Sequence, residues 1–171
     1  MPAPDAVQKR FRRRRDRFID SLTTGRFLGH FRLQWIGPDL FEYEPDRVDP
    51  FRYERMDRQG NVIEIIQPEA MTTDGGSIPR LAQGLPGYSP WEYGPAYLIH
   101  DWEFEAHDRA RNGGPPFDKS FEEVNRTLAE GILTLMRHGY LDYERPAISK
   151  DRVFSIYNAV NSAIGKGIWD D

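Results

Sequence analysis

No cysteine occurs anywhere in the chain. Disulfides, cysteine-ligated zinc and a thiol nucleophile are therefore excluded. Long apolar runs are missing as well. None approaches the about 18 to 20 residues that a membrane span needs. The basic stretch near the start has no apolar segment behind it, so it does not read as a secretory leader. Several motifs of known chemistry are also absent. There is no phosphate-cradling loop ending in Lys-Ser or Lys-Thr, no His-Glu-x-x-His, no Gly-x-Ser-x-Gly and no dinucleotide glycine run.

What is present suits a folded domain. The chain has 171 residues, 39% of them hydrophobic and 13% aromatic, enough to bury a core and too apolar for a disordered segment. The net charge of −4 is unevenly placed. Lys9, Arg10, Arg12, Arg13, Arg14, Arg15 and Arg17 crowd one short stretch, against only Asp5 and Asp16. The rest of the chain is acidic. Such an arm can meet nucleic acid, anionic lipid or an acidic protein partner; it can equally be solvated or fold onto its own body.

The pattern predicts an α+β fold: a small antiparallel β-sheet of three to five strands from the N-terminal half, packed against about three C-terminal helices. Residues 1–8 read as a flexible end. Residues 9–22 read as a short basic helix with Phe11, Phe18, Ile19 and Leu22 as its apolar positions. We take 1–22 as a basic N-terminal arm or short helix and 23–171 as a single α+β domain. Phe31, Leu33 and Trp35 alternate with Arg32 and Gln34, as in a strand. Leu40 to Tyr43 and Phe51 to Met56 are further strands. Asp57-Arg58-Gln59-Gly60 reads as a hairpin turn into Val62 to Ile66. Residues 68–92 are rich in Gly, Pro and Ser and form a long loop.

Helices follow. One starts near Pro95, with Ala96, Ile99, Glu103, Phe104 and His107 on one side, and ends at Asn112-Gly113-Gly114. The next is capped by Ser120 with Glu123 three residues on. Its apolar face is Phe121, Val124, Leu128, Ile132 and Leu135, and Gly139 ends it. Asn125 falls within that apolar stripe, so its amide must find partners inside the protein. A last helix is expected over 147–164, with Val153, Ile156, Tyr157, Val160 and Ile164 in line.

Two places hold residues suited to chemistry. In Thr73-Asp74-Gly75-Gly76-Ser77-Ile78-Pro79-Arg80 the glycines free the backbone, Asp74 can bind a metal or move a proton, and Ser77 can donate a hydrogen bond or attack as a nucleophile. The same residues also make ordinary Asx and Ser turns. In His100-Asp101, neighbours about 100° apart on a helix can both reach one ion in a cleft beside it. A histidine bonded to backbone with a solvated Asp101 is the plainer alternative. Asp74, Ser77, His100 and Asp101 are thus the candidate catalytic residues, and Asp74, His100 and Asp101 the candidate ligands of a divalent metal ion. Asn125 can hold His100 or Asp101 in place. His107 lies two helical turns from His100, about 10.5 Å, too far to share that ion. A Ser77-His100-Asp101 triad is disfavoured, because Asp101 adjoins His100 and is badly placed to orient it. Tyr88, Trp91, Tyr93 and Trp102 lie near enough in sequence to bind a sugar, peptide or base, or simply to pack.

These residues resemble a family, the phage- and prophage-associated domain of unknown function numbered 1353. The likeness rests on Thr73-Asp74-Gly75-Gly76-Ser77-Ile78-Pro79, then Ala96 to Asp101, then Val124-Asn125, then Ile156 to Val160, and covers roughly residues 27–169. The family often carries Asp where this chain has Asn125. The resemblance implies a viral setting, with other phage proteins as partners and the bacterial host cytoplasm or the virion as location. It implies that Asp74, Ser77, His100 and Asp101 act together, but it supplies no reaction. A metal-assisted hydrolase, a structural or assembly protein of a phage particle, and a nucleic-acid-binding regulator remain the readings to separate.

Overall fold

A computed structural model describes residues 4–38, 40–73, 93–140 and 148–171. The fold class is α+β. Among the described residues, six strands make two three-stranded antiparallel sheets, and there are five helices. In chain order these are α1 (Pro4–Ser21), β1 (Arg26–Leu28), β2 (Leu33–Gly37), β3 (Leu40–Tyr43), β4 (Arg52–Met56), β5 (Val62–Ile66) and β6 (Met71–Thr73). Then come α2 (Gly94–Arg111), α3 (Phe121–His138), α4 (Lys150–Val160) and α5 (Ala163–Asp170).

One sheet has the order β1-β4-β5 and the other β2-β3-β6. The expected single sheet is thus divided. Strand β4 takes β1 and β5 as neighbours, and β3 takes β2 and β6. Aromatic rings join the two. Phe51, fully buried, stacks 5.8 Å from Phe27 of β1 and meets Tyr43 of β3 edge-on at 6.5 Å. The predicted hairpin is present: Asp57 donates its amide to the Asn61 carbonyl at 2.9 Å, and Gly60 takes a left-handed φ of 86°. Strand β6, inside the stretch expected as loop, is new.

Trp35 departs from its expected inward face and is 68% exposed. Alternation assigns a face but not how far the core extends. Only Leu33 of β2 packs against the core, and a register irregularity follows Trp35.

Helix α3 runs through the centre. Val124, Leu128 and Ile132 are buried as the periodicity requires, and the capping box of Ser120 with Glu123 is formed. Gly139 ends it with φ 70°, its amide bonded to the Leu135 carbonyl at 2.9 Å. Strand β1 and α2 approach α3 closely at Gly131. A Cβ there would lie 3.1 Å from the Ala96 Cβ and 3.4 Å from the Phe27 ring.

The last expected helix is two. Helix α4 stops at Asn161, and Ser162 caps α5 by accepting the Gly165 amide. Ile164, expected on the buried stripe, is 54% exposed, because the break turns it out of line with Val153 and Ile156. The N-terminal arm also differs. It is helical from Pro4 onward, where residues 1–8 were expected to be flexible. Its apolar residues find cover in the fold: Ile19 and Leu22 are buried, and Phe18 packs 4.1 Å from Tyr157 of α4.

A buried polar seam lies between β4, β5 and the helices α2 and α3. Lys119 bonds Glu103, Glu64 (3.1 Å) and Thr127 (3.0 Å), while Arg55 bonds Glu64 (2.7 Å) and Glu130 (2.9 Å). Burial pushes the Glu103 carboxyl well above the usual carboxylate range, against the pull of the Lys119 ammonium.

Candidate functional site

Helix α2 sets the site. Pro95 sits in its first turn, where a missing amide costs nothing. Every residue from Pro95 to His100 is buried; Asp101 and Trp102 are partly exposed. His100 and Asp101 therefore stand where the helix leaves the interior.

His100 is 4% exposed and its Nε2 lies 2.9 Å from the Asn125 Oδ1. Asn125 is fully buried and donates its own amide to the Asn161 Oδ1 at 3.1 Å. That second bond decides the first. Asn125 spends its NH2 on Asn161, so it presents its oxygen to His100, and the His100 Nε2 carries the hydrogen. Burial pushes the imidazole pKa down to about 4, with the Asn125 bond pulling the other way. At neutral pH the ring is uncharged, protonated on Nε2, with the lone pair on Nδ1.

Asp101 is held from another direction. Its Oδ2 accepts the Thr73 hydroxyl at 2.5 Å, tying α2 to β6. Both His100 and Asp101 line one cleft of about 370 Å³ between α2, β6 and the α4–α5 corner. Trp169 of α5 forms part of the wall. His107 stacks on it at 3.7 Å with the rings 13° from parallel, and Phe104 meets it edge-on at 5.0 Å. Phe104 also packs 4.7 Å from the His100 ring. Glu105, Asp108 and Arg111 place charge around the same cleft.

Asp74 and Ser77 lie outside the described residues, as do Tyr88 and Trp91. Of the predicted site residues, the structure brings His100 and Asp101 to one cleft and gives Asn125 the role of holding His100. It leaves His107 at the cleft wall, away from His100, as the two-turn spacing demands. Tyr93 is fully buried and accepts a bond from Arg152 at 3.1 Å, so it is core. Trp102 packs against the core with the Arg109 guanidinium 5.0 Å from its ring.

Asn161 and Trp169 were missed by sequence reasoning. Asn161 lay inside the helix expected over 147–164, where a polar residue draws no notice. Trp169 lay beyond it, and its approach to α2 follows from the break at Ser162. The fit to a metal can be tested in part. Asp101 and the His100 Nδ1 are donors that divalent metals accept. Among the described residues no three His, Asp or Glu side chains gather to hold an ion, and Asp74 would have to supply the third. Protein-family models, curated proteins and solved structures were compared with this chain, and none matches it.

Proposed function

We propose that the chain is a phage- or prophage-type protein whose cleft is a metal-assisted hydrolase centre. The observation that carries this reading is the state of His100: a neutral imidazole at a cleft, its tautomer fixed from behind by Asn125 and Asn161, its Nδ1 lone pair left for use. A ligand histidine held by a second residue on its other nitrogen is the usual design of a metal site. Asp74, His100 and Asp101 would hold a divalent ion, which when bound acts as a Lewis acid and activates water. The chain's other residues have their own tasks. Thr73 fixes the Asp101 carboxylate. Phe104, His107 and Trp169, packed on one another, wall one side of the cleft and keep water from it. Arg111 offers a cation to an anionic group. Ser77 would orient the substrate. The partners under this reading are other phage proteins, in the host cytoplasm or the virion.

Isothermal titration of the protein with Mg²⁺, Mn²⁺ and Zn²⁺ tests it. Uptake is expected in the wild type and lost in Asp74→Ala, His100→Ala and Asp101→Ala. A wild type that takes up none of the three ions defeats the metal reading.

A second reading has its own observation. The chain His100–Asn125–Asn161 joins α2, α3 and the end of α4, and Asp101–Thr73 joins α2 to β6. Those bonds suit a structural or assembly protein of a phage particle, in which the same residues clamp the fold. His100→Ala would then unfold the protein, whereas under the first reading it spares the fold and removes ion uptake.

A further inference from the structure

Helix α1 shows two contrasting sides. Ile19 and Leu22 are buried, Phe18 packs on Tyr157, and Phe11 meets Phe154 edge-on at 5.4 Å. Arg15 shares that side and is spent there, bonding Asp151 at 2.6 Å and Asp16 at 2.8 Å. Arg58 and Arg126 also donate to the backbone carbonyls of Asp20 and Ser21, fixing the end of the helix. The orientation of α1 is thus set by packing.

Arg10, Arg13, Arg14 and Arg17 face the other way. Their spacing of three, four and seven residues puts them in one stripe over two turns, about 10 Å long. All four are exposed, and none makes an ion pair among the described residues. The nearby acids are engaged elsewhere, Asp16 with Arg15 and Asp20 with Lys150 at 3.4 Å. Arginines three and four apart repel one another along a helix, so the stripe works against the stability of its own element. A line of phosphates would reverse that sign.

We propose that α1 is a docking ridge for the phosphate backbone of duplex nucleic acid. Guanidinium groups bond phosphate oxygens in pairs, which lysine cannot do, and four of the ridge residues are arginine. An anionic membrane is the weaker fit. A helix that lies in a lipid surface buries its apolar face there, and Phe18, Ile19 and Leu22 of that face are already packed into the fold, leaving only Val7 and Phe11 exposed. Single strands are also a weaker fit, because such sites add aromatic faces for the bases to stack on. The one aromatic near the ridge end, Phe11, is turned toward Phe154. Contacts to phosphates carry no sequence information, so binding through this ridge is independent of sequence.

The test is fluorescence anisotropy of the full chain with a labelled DNA duplex of about 20 base pairs, over about 50 to 200 mM salt. Saturable binding is expected, with log K falling against log salt at a slope of about −3 to −4, some 0.9 for each phosphate contacted. The variant Arg10→Ser/Arg13→Ser/Arg14→Ser/Arg17→Ser should lose binding at least tenfold while keeping its circular dichroism spectrum. Arg47→Ser, which removes an exposed cation elsewhere, should bind as the wild type does. Binding kept by the fourfold variant, lost equally in Arg47→Ser, or absent in the wild type overturns the proposal. So does tighter association with phosphatidylserine vesicles than with the duplex.

Discussion

At the scale of single residues, His100 ties stability to pH. Its folded pKa is about 4 against an ordinary 6.5, because burial disfavours the charged ring. The unfolded chain therefore binds more protons between those values. Stability rises with pH across that window and is lost as pH falls through it. The fully developed effect is about 3 kcal/mol from a shift of this size. Urea midpoints taken from pH 7 down to pH 4 should fall more steeply for the wild type than for His100→Gln, which keeps a donor toward Asn125 but does not titrate. Parallel curves would remove His100 from the acid response. Asn125 shows what single residues reveal in advance. Its place in an apolar stripe announced a buried amide in need of partners, and periodicity alone was enough for that. Which partners it took depended on how α2 and α4 lie across α3, which no local pattern records.

At the scale of elements, α3 was the most legible. Its cap, its stripe and its terminating glycine are all local features, each acting within a turn or two. Gly131 is the exception, a residue poor in helix propensity at the centre of a buried helix. It is explained by what lies opposite, the Ala96 Cβ and the Phe27 ring. Gly131→Val would force these apart and should destabilise by about 1–3 kcal/mol, the usual cost of overpacking. An unchanged urea midpoint would show that the α2–α3 contact can yield. The last helix was less legible. Asn161-Ser162 reads as helix interior when only periodicity is weighed. Ser162 instead caps α5, and Gly165 sits so close to the Val160 carbonyl that a Cβ would clash at 2.0 Å. The corner that carries Trp169 to the cleft depends on that close passage.

At the scale of the whole molecule, the two sheets are held together by side chains. Phe51 is central, touching rings from β1 and β3. Phe51→Ala should cost about 3–5 kcal/mol, the range for deleting a buried aromatic. A loss near 1 kcal/mol by urea denaturation would mean that the sheets are joined by other contacts. Charge is also organised at this scale. The arginine stripe of α1 and the acids beside the cleft belong to different elements, so one molecule can offer a polyanion-binding ridge apart from its candidate catalytic cleft. None of the described helices is long and apolar enough to cross a membrane.

The amino-acid sequence by itself determined the α+β class, the hairpin at Asp57 to Gly60, the start and end of α3, and the inward-facing amide of Asn125. Each follows from interactions between residues close in the chain: turn chemistry, capping and periodic burial. It also marked His100-Asp101 as a pair worth following. Only the tertiary structure decided that the strands form two sheets, that Trp35 faces solvent, and that the arm lies on α4 with the stripe of Arg10, Arg13, Arg14 and Arg17 outward. It likewise decided the protonated nitrogen of His100, because that depends on a bond from Asn125 to Asn161, thirty-six residues apart. Contacts of such separation depend on how whole elements pack, and packing is settled by the shape of the entire core.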